Sequence, residues 1–235
     1  MITGILVALP EELRTLSNSK IRQGECIATA KNTVTILSGS GSENAAIAAQ
    51  KLLDHGAKQL ISWGCAGALA PHLKAGDLVI PTLIQMPNNT KLSTHTQWSR
   101  KTVKLLENTI KCYNGKLLES ESIISLASHK ALQYQRTQAL AVDMESGAVA
   151  RIAAQAQVPF IAIRSIVDPA QLDLPKAINY AMNDQGTIAI PKLMFYLCMH
   201  PAELPRLVRL GLHFNAASKT LKHLAQQLPR IIQAQ

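Results

Sequence analysis

Between Pro159 and Pro169 the chain reads Phe160-Ile-Ala-Ile-Arg-Ser-Ile-Val-Asp168, an apolar run broken only by Arg164 and Ser165 before it reaches Asp168. A strand that faces water on one side alternates apolar and polar residues, whereas a strand apolar throughout is covered on both faces, and helices on either side of a sheet supply that cover. The chain is therefore predicted to be α/β, a sheet sandwiched by helices. Ile2–Leu9, Leu60–Trp63 and Leu140–Val142 read as further buried strands, and Glu25–Ala30 and Thr33–Leu37 as two strands around a Lys31-Asn32 turn. Helical spacing appears between them: Ala45, Ala48, Ala49 and Leu52 recur at i, i+3, i+4, i+7 from a start near Ser42, and Ala148, Val149, Ile152, Ala153 and Ala156 repeat in the same way. Gln97–Tyr113 reads as a helix with a basic face, Leu117–Ala127 as extended, and Ser128–Gln135 as a turn or short helix. No linker divides the 235 residues, and 47% hydrophobic content suffices for one core, so a single domain over residues 1–235 is expected.

Charge and cysteine usage exclude several classes. Cys26, Cys65, Cys112 and Cys198 form no CxxC pair, no metal-ligand spacing links them to the seven histidines, and no HExxH occurs. The thiols are expected to be reduced and the protein cytoplasmic, with no signal peptide and no apolar run long enough to span a bilayer. The net charge of +9 is concentrated at the end: residues 190–235 hold six Lys/Arg against the single acid Glu203. Leu204, Leu207, Val208, Leu221, Leu224, Ala225 and Leu228 recur near helical spacing there, with Arg206, Arg209, Lys219 and Lys222 interleaved. Residues 188–235 thus read as a basic amphipathic helical segment, either packed on the core with a solvated face or in peripheral contact with anionic lipid. Aromatic residues are only 4% of the chain, with no stacking array, which argues against nucleic acid.

Chemistry-bearing residues collect where strands end. Pro10-Glu11-Glu12-Leu13 puts proline at the first position of a helix and acids in its first turn, directly after a strand. Ser38-Gly-Ser-Gly-Ser42 leaves free backbone N–H groups and hydroxyls between a strand and a helix, suited to an oxyanion or to sugar hydroxyls. A dinucleotide site does not fit, because Asn44 stands at the third glycine position and no acid follows about 20 residues on. Gly64-Cys-Ala-Gly67 ends a strand with small residues that admit either a ligand or tight packing, and Cys65 reads as a filler rather than a nucleophile. Asp143 and Glu145 flank Met144 where a strand becomes a helix, a position that equally suits an N-cap. Asp168 ends the apolar strand next to a proline that stops further pairing; a salt bridge to Arg164 or a cap is its structural alternative.

Taken together, Gly4-Ile-Leu-Val-Ala-Leu-Pro-Glu-Glu12, Ser38-Gly-Ser-Gly41, Gly64-Cys-Ala-Gly67, Ala75-Gly-Asp-Leu-Val-Ile80, Val142-Asp-Met-Glu-Ser146 and Arg164-Ser-Ile-Val-Asp168 resemble the nucleoside phosphorylase and nucleosidase superfamily in motif and order. The resemblance implies a three-layer α/β/α domain around a central mixed, twisted sheet. It implies cleavage of the ribose–adenine bond, with Asp168 as general acid toward the purine N7 and Glu12 as the base that activates water. Glu145 would bind ribose hydroxyls and Met144 would pack on the sugar. Asp143, standing where bacterial nucleosidases have glutamate, and Gly41, Cys65, Ala66 and Gly67 would complete the substrate-binding shell, with Ser122 and Ile123 beside the base.

No metal or organic cofactor is implied, only water or inorganic phosphate as co-substrate. Trp63, rather than a phosphate-binding arginine, precedes Gly64, which points to hydrolysis. The later stretches Asp168-Pro-Ala, Leu174-Pro, Asn183-Asp-Gln-Gly186 and Pro201-Ala-Glu-Leu-Pro205 are similar to the hopanoid-associated branch, which implies adenosylhopane, an adenosine joined to a triterpenoid, as substrate. The resemblance to the wider superfamily implies a homo-oligomer, and the basic C-terminal segment points to the inner face of the cytoplasmic membrane. The alternatives are a purine nucleoside phosphorylase, a methylthioadenosine/S-adenosylhomocysteine nucleosidase, and a nucleoside-binding module without turnover.

Overall fold

The computed structural model describes residues 1–181 and 189–235; the stretch Asn183-Asp-Gln-Gly186 and the first residue of the 188–235 segment lie outside them. The described strands make one mixed sheet. Its spine is β4 (Ala57–Ala68), paired in parallel with β1 (Ile2–Val7) and with β11 (Phe160–Asp168). Beyond β1 lie β3 (Thr33–Leu37) and the hairpin strand β2 (Cys26–Ala30), with Asn32 at positive φ in the turn. Beyond β4 on the other arm come β10 (Ala141–Asp143), β9 (Lys116–Glu119), β6 (Leu83–Gln85) and β7 (Lys91–Ser93), while β5 (Leu78–Val79) links β11 to β8 (Cys112–Tyr113).

Period-two alternation along the central strands creates the layers. Leu6, Leu60, Phe160 and Ala162 point one way, into a core shared with Ala45, Ala49 and Leu52 of α2 (Ser42–Asp54) and Ala148, Val149 and Ala153 of α5 (Ser146–Gln155). Ile5, Val7, Ile61, Trp63, Ile161 and Ile163 point the other way. They meet Leu13 of α1 (Pro10–Leu13), Trp98 and Leu106 of α3 (Thr96–Leu106), Leu221 and Leu224 of α8 (Leu204–Gln226) and Ile231 of α9 (Leu228–Gln233). The expected three-layer sandwich is thus built from two cores, one on each face of the same strands. Each fully buried Leu or Ile contributes about 1.5–3 kcal/mol.

Three local expectations are corrected. The helix expected over Gln97–Tyr113 ends at Leu106, where Thr109 Oγ1 donates to the Leu106 carbonyl, and Cys112–Tyr113 instead pairs with β5. Leu117–Ala127 is extended only as far as Glu119, and of the turn or short helix expected over Ser128–Gln135 the helix forms, as α4 (Ala127–Thr137), closed by Gln138 at φ 54. The described part of the C-terminal segment is helical, in α7 (Ile190–Met199), α8 and α9, but the apolar residues read there at helical spacing do not share one environment. Leu221, Leu224 and Leu228 are buried in the core, while Leu204, Val208 and Leu212 are exposed. In the 23-residue α8 the buried residues Ala217, Leu221 and Leu224 all lie in the second half.

Candidate active site

The sheet forks at the C-terminal end of β4. Leu60 is flanked by Gly4 of β1 and Phe160 of β11, and Gly67 by Val142 of β10 and Asp168 of β11, so β1 and β10 share one edge of β4. Between them Trp63, Gly64, Cys65 and Ala66 pair with β11 but have no strand on the other edge. A backbone N–H left there must find another acceptor. The Cys65 N–H finds the Glu12 carboxylate, donating to Oε1 at 2.8 Å, while Ala8 and Leu9 N–H donate to Oε2 at 2.9 and 3.1 Å. Glu12 is 5% exposed, and burial raises its pKa against the pull of Arg164 and these three donors. Gly64 is required by this approach: a Cβ there would lie 2.3 Å from Glu12 Oε1. The small residues at 64–67 therefore make room first for a carboxylate of the chain itself.

Arg164 lies beneath the cluster, 2% exposed. It donates from Nε to Asp143 Oδ2 at 2.7 Å and from Nη2 to Ser62 Oγ at 2.6 Å. Asp143 also accepts from the Ser146 hydroxyl at 2.5 Å and from the Ser146 N–H at 3.3 Å. Both of its oxygens thus have partners in the protein, and Asp143 anchors Arg164 and the start of α5. The physical reason is reach: a buried guanidinium needs a carboxylate beside it. Asp168 cannot serve, because four residues of strand separate it from Arg164 by about 13 Å.

Glu145 directly precedes α5. Its Oε1 accepts the Gly41 N–H at 2.9 Å, and Gly41, at φ 94, holds a conformation that suits glycine. Met144 is half-buried beside it and directs its own N–H to Glu145 Oε2 at 3.3 Å. Burial, with Asp143 adding to it, pushes Glu145 up to about 7, against the opposing charge of Arg164. Among the described residues Oε2 receives only the long contact from the adjacent Met144 N–H, and so keeps a lone pair for hydroxyls of a ligand. Asp168 ends β11 across Gly67 from Val142, and its carboxylate meets Lys130 Nζ at 2.5 Å. Burial pushes Asp168 up to about 6 despite that ammonium, so near neutral pH it exchanges a proton readily. Burial raises the Cys65 thiol well above its usual range, in keeping with a filler.

Glu12, Gly41, Cys65, Ala66, Gly67, Asp143, Met144, Glu145 and Asp168 therefore converge from five segments on one end of β4. Ser122 and Ile123 are exposed in the loop after β9, and Ser120 N–H ties that loop to the Asp143 carbonyl at 2.8 Å. Sequence reasoning missed three groups. Arg164 looked like punctuation of a strand, yet it is the cation under three carboxylates. Lys130 carried no signal, being one lysine in a polar helix. Glu119, buried at the end of β9 and pushed up to about 7 by burial, accepts the Ala148 N–H at 2.8 Å; Gly147 is needed there, since its Cβ would lie 2.6 Å from Glu119. A carboxylate interrupting an apolar strand was the available clue. Among the described residues no group of three His, Cys, Asp or Glu is placed to hold a metal ion.

Comparison with known proteins agrees with this architecture. The 5′-methylthioadenosine/S-adenosylhomocysteine nucleosidase of Buchnera aphidicola subsp. Baizongia pistaciae is 29% identical over 210 residues, 77% of this chain and 83% of that protein. The structure of the corresponding nucleosidase of Helicobacter pylori, solved with butyl-thio-DADMe-Immucillin-A, superposes with a TM-score of 0.72 at 18% identity, covering 99% of this chain and 98% of that one. Futalosine hydrolase of Helicobacter pylori gives a TM-score of 0.71 at 17% identity, over 99% and 97% of the two chains. At these identities the solved structures speak for the fold. The Phosphorylase superfamily model matches residues 3–189, most of the chain, and with it the chain belongs to the phosphorylase superfamily.

Proposed function

We propose that the protein is a nucleosidase that hydrolyses the N-glycosidic bond of a 5′-substituted adenosine, and that its substrate is adenosylhopane, with adenine released during hopanoid synthesis. The observation that carries this reading is the gathering of Glu12, Glu145 and Asp168 around the fork of β4. Water attacks C1′ of the ribose as the C1′–N9 bond breaks, and its electron pair moves into the purine. Asp168 gives its proton to N7, Glu12 takes the proton of the attacking water, and Glu145 holds the ribose hydroxyls, with Met144 against the sugar. General acid catalysis of this kind is worth about 10²–10⁴ in rate. Water is the second reactant; inorganic phosphate in its place gives the 1-phosphate of the 5-substituted ribose.

The lipid-linked substrate is supported by the far end of the chain. Ile190, Met194, Phe195 and Met199 of α7 (Ile190–Met199) and Leu204, Val208 and Leu212 of α8 are each more than half exposed, among Lys192, Arg206 and Arg209. An exposed apolar set with a basic rim fits an anionic membrane surface, and among the described residues no helix is long and apolar enough to cross a membrane. The reading therefore includes peripheral contact at the cytoplasmic face and a homo-oligomer in solution. The second reading, a methylthioadenosine/S-adenosylhomocysteine nucleosidase, is favoured by the sequence relatives.

Adenine release is measured by mass spectrometry from adenosyl-lipid, 5′-methylthioadenosine and S-adenosylhomocysteine, with and without phosphate. Adenosyl-lipid is expected to turn over fastest and to leave the lipid-linked ribose without phosphate; preference for the thioether nucleosides selects the second reading. Asp168→Asn is expected to lose about 10²–10⁴ in kcat. Release of no base from any of the three, with adenine still bound in calorimetry, would leave a binding module and sink the enzyme reading.

A further inference from the structure

Lys130 of α4 is fully buried, and each of its three N–H bonds has an acceptor: Asp168 Oδ2 at 2.5 Å, the Leu172 carbonyl at 2.7 Å and the Pro169 carbonyl at 3.3 Å. Burying an ammonium is costly unless it is paired and hydrogen-bonded throughout, and a residue serving only to pack α4 would not need a charge. Two of the acceptors belong to the segment that leaves β11 just after Asp168, so one side chain holds both the carboxylate and the backbone that carries it. The other charged group facing Asp168 is Asp173, whose own carboxylate accepts the Ala127 N–H at 2.7 Å; β4 presents only Gly67 to Asp168. Lys130 is thus the neighbouring cation for this carboxylate among the described residues.

We propose that Lys130 is a positioning residue for the proton donor: it fixes Oδ2 of Asp168, leaves Oδ1 to face the purine, and stabilises the carboxylate that remains when the proton moves to N7. The inference rests on the reading of Asp168 as the general acid. Lys130 keeps all its own protons; one O–H bond at Asp168 breaks as one N–H bond at N7 forms, and the negative charge left on the carboxylate is met by an ammonium already in place. Such a preorganised charge acts more strongly on the ionised product of the transfer than on the neutral acid. It also sets how acidic Asp168 is, since an opposite charge this close lowers a carboxylate pKa by about 1–3 pH units.

The test follows the carboxyl carbon of Asp168 by ¹³C NMR through a pH titration, together with the pH profile of adenine release from 5′-methylthioadenosine, in the wild type and in Lys130→Met, Lys130→Gln, Lys130→Arg and Asp168→Asn. NMR needs no substrate, so it reads the ion pair even if another nucleoside is preferred. Without the ammonium the Asp168 midpoint is expected to rise by about 1–3 pH units, the alkaline limb of kcat to rise with it, and kcat at neutral pH to fall at least about tenfold. Lys130→Arg should restore both. If Lys130→Met does not fold, Lys130→Gln keeps donors for the two loop carbonyls while removing the charge, and carries the same expectation. A midpoint and rate that stay at wild-type values in a folded, uncharged variant, with Asp168→Asn inactive, overturn the role of Lys130 alone. An active Asp168→Asn protein overturns the assignment of Asp168 beneath it.

Discussion

Glu145 shows how a single residue can be tuned for a ligand at the expense of the empty fold. Burial and the nearby Asp143 raise its pKa to about 7, so the folded protein holds its proton more tightly than the unfolded chain, whose carboxylate has the ordinary value of 4.5. The sign follows from proton linkage: the stability contributed by this group is fully present below its unfolded pKa and is lost as pH rises through the folded one. Glu145→Gln cannot ionise and lacks this dependence. Its melting temperature is therefore expected to fall less than that of the wild type between about pH 5 and about pH 8, measured by calorimetry without ligand. Glu12, Glu119 and Asp168 are raised in the same direction, so the slope should shrink rather than vanish. Equal slopes in the two proteins would mean that Glu145 is ionised in the empty site. Residues such as Glu12, Glu145 and Asp168 were legible in the sequence because a carboxylate at a strand end violates the apolar pattern around it. Lys130 was not, because nothing in a polar helix tells which lysine turns inward.

Among elements, β4 organises the rest. Its twelve residues serve β1 near one end and β10 near the other, and the gap between those partners frees the Cys65 N–H for Glu12. Gly64→Ala tests this directly, because the new Cβ would meet the Glu12 carboxylate rather than backbone. The end of a side chain can move, so the fold is expected to survive while Glu12 leaves its cradle. The expected result is a loss of about 10²–10⁴ in kcat with a melting temperature close to that of the wild type. Full activity in Gly64→Ala would remove Glu12 from the proposed water activation. The helix spacing of α2 and α5 was readable because their apolar faces rest on a sheet. The end of α3 was not, since a polar continuation after Leu106 is consistent with either a helix or the turn and edge strand that Cys112 and Tyr113 form.

At the scale of the whole molecule the C-terminal segment does two things. From Ala217 onward it closes the second core through Leu221, Leu224, Leu228 and Ile231, whereas residues 190–212 present apolar side chains outward and lie beyond the span matched by the superfamily. With attraction of about 1 kcal/mol per Lys or Arg near an anionic surface, sedimentation with phosphatidylglycerol vesicles is expected to carry the protein down at low salt, but not with neutral vesicles. Phe195→Ser combined with Leu212→Ser should abolish that binding without changing adenine release from water-soluble nucleosides. Sedimentation equal on neutral and anionic vesicles, or unaltered in the double variant, would disprove the docking face.

What the amino-acid order determined by itself was the class of fold and which three carboxylates are candidates for the site. Both follow from local rules: alternation fails in a strand covered on both faces, and charged residues stand out against apolar runs. What only the tertiary structure decided was partnership. Arg164 pairs with Asp143 instead of Asp168, Asp168 falls to Lys130 from another helix, and Leu221 is core while Leu212, on the same helix, is not. Such choices depend on distances across the sheet and on where the sheet stops, and those distances are set when the layers pack.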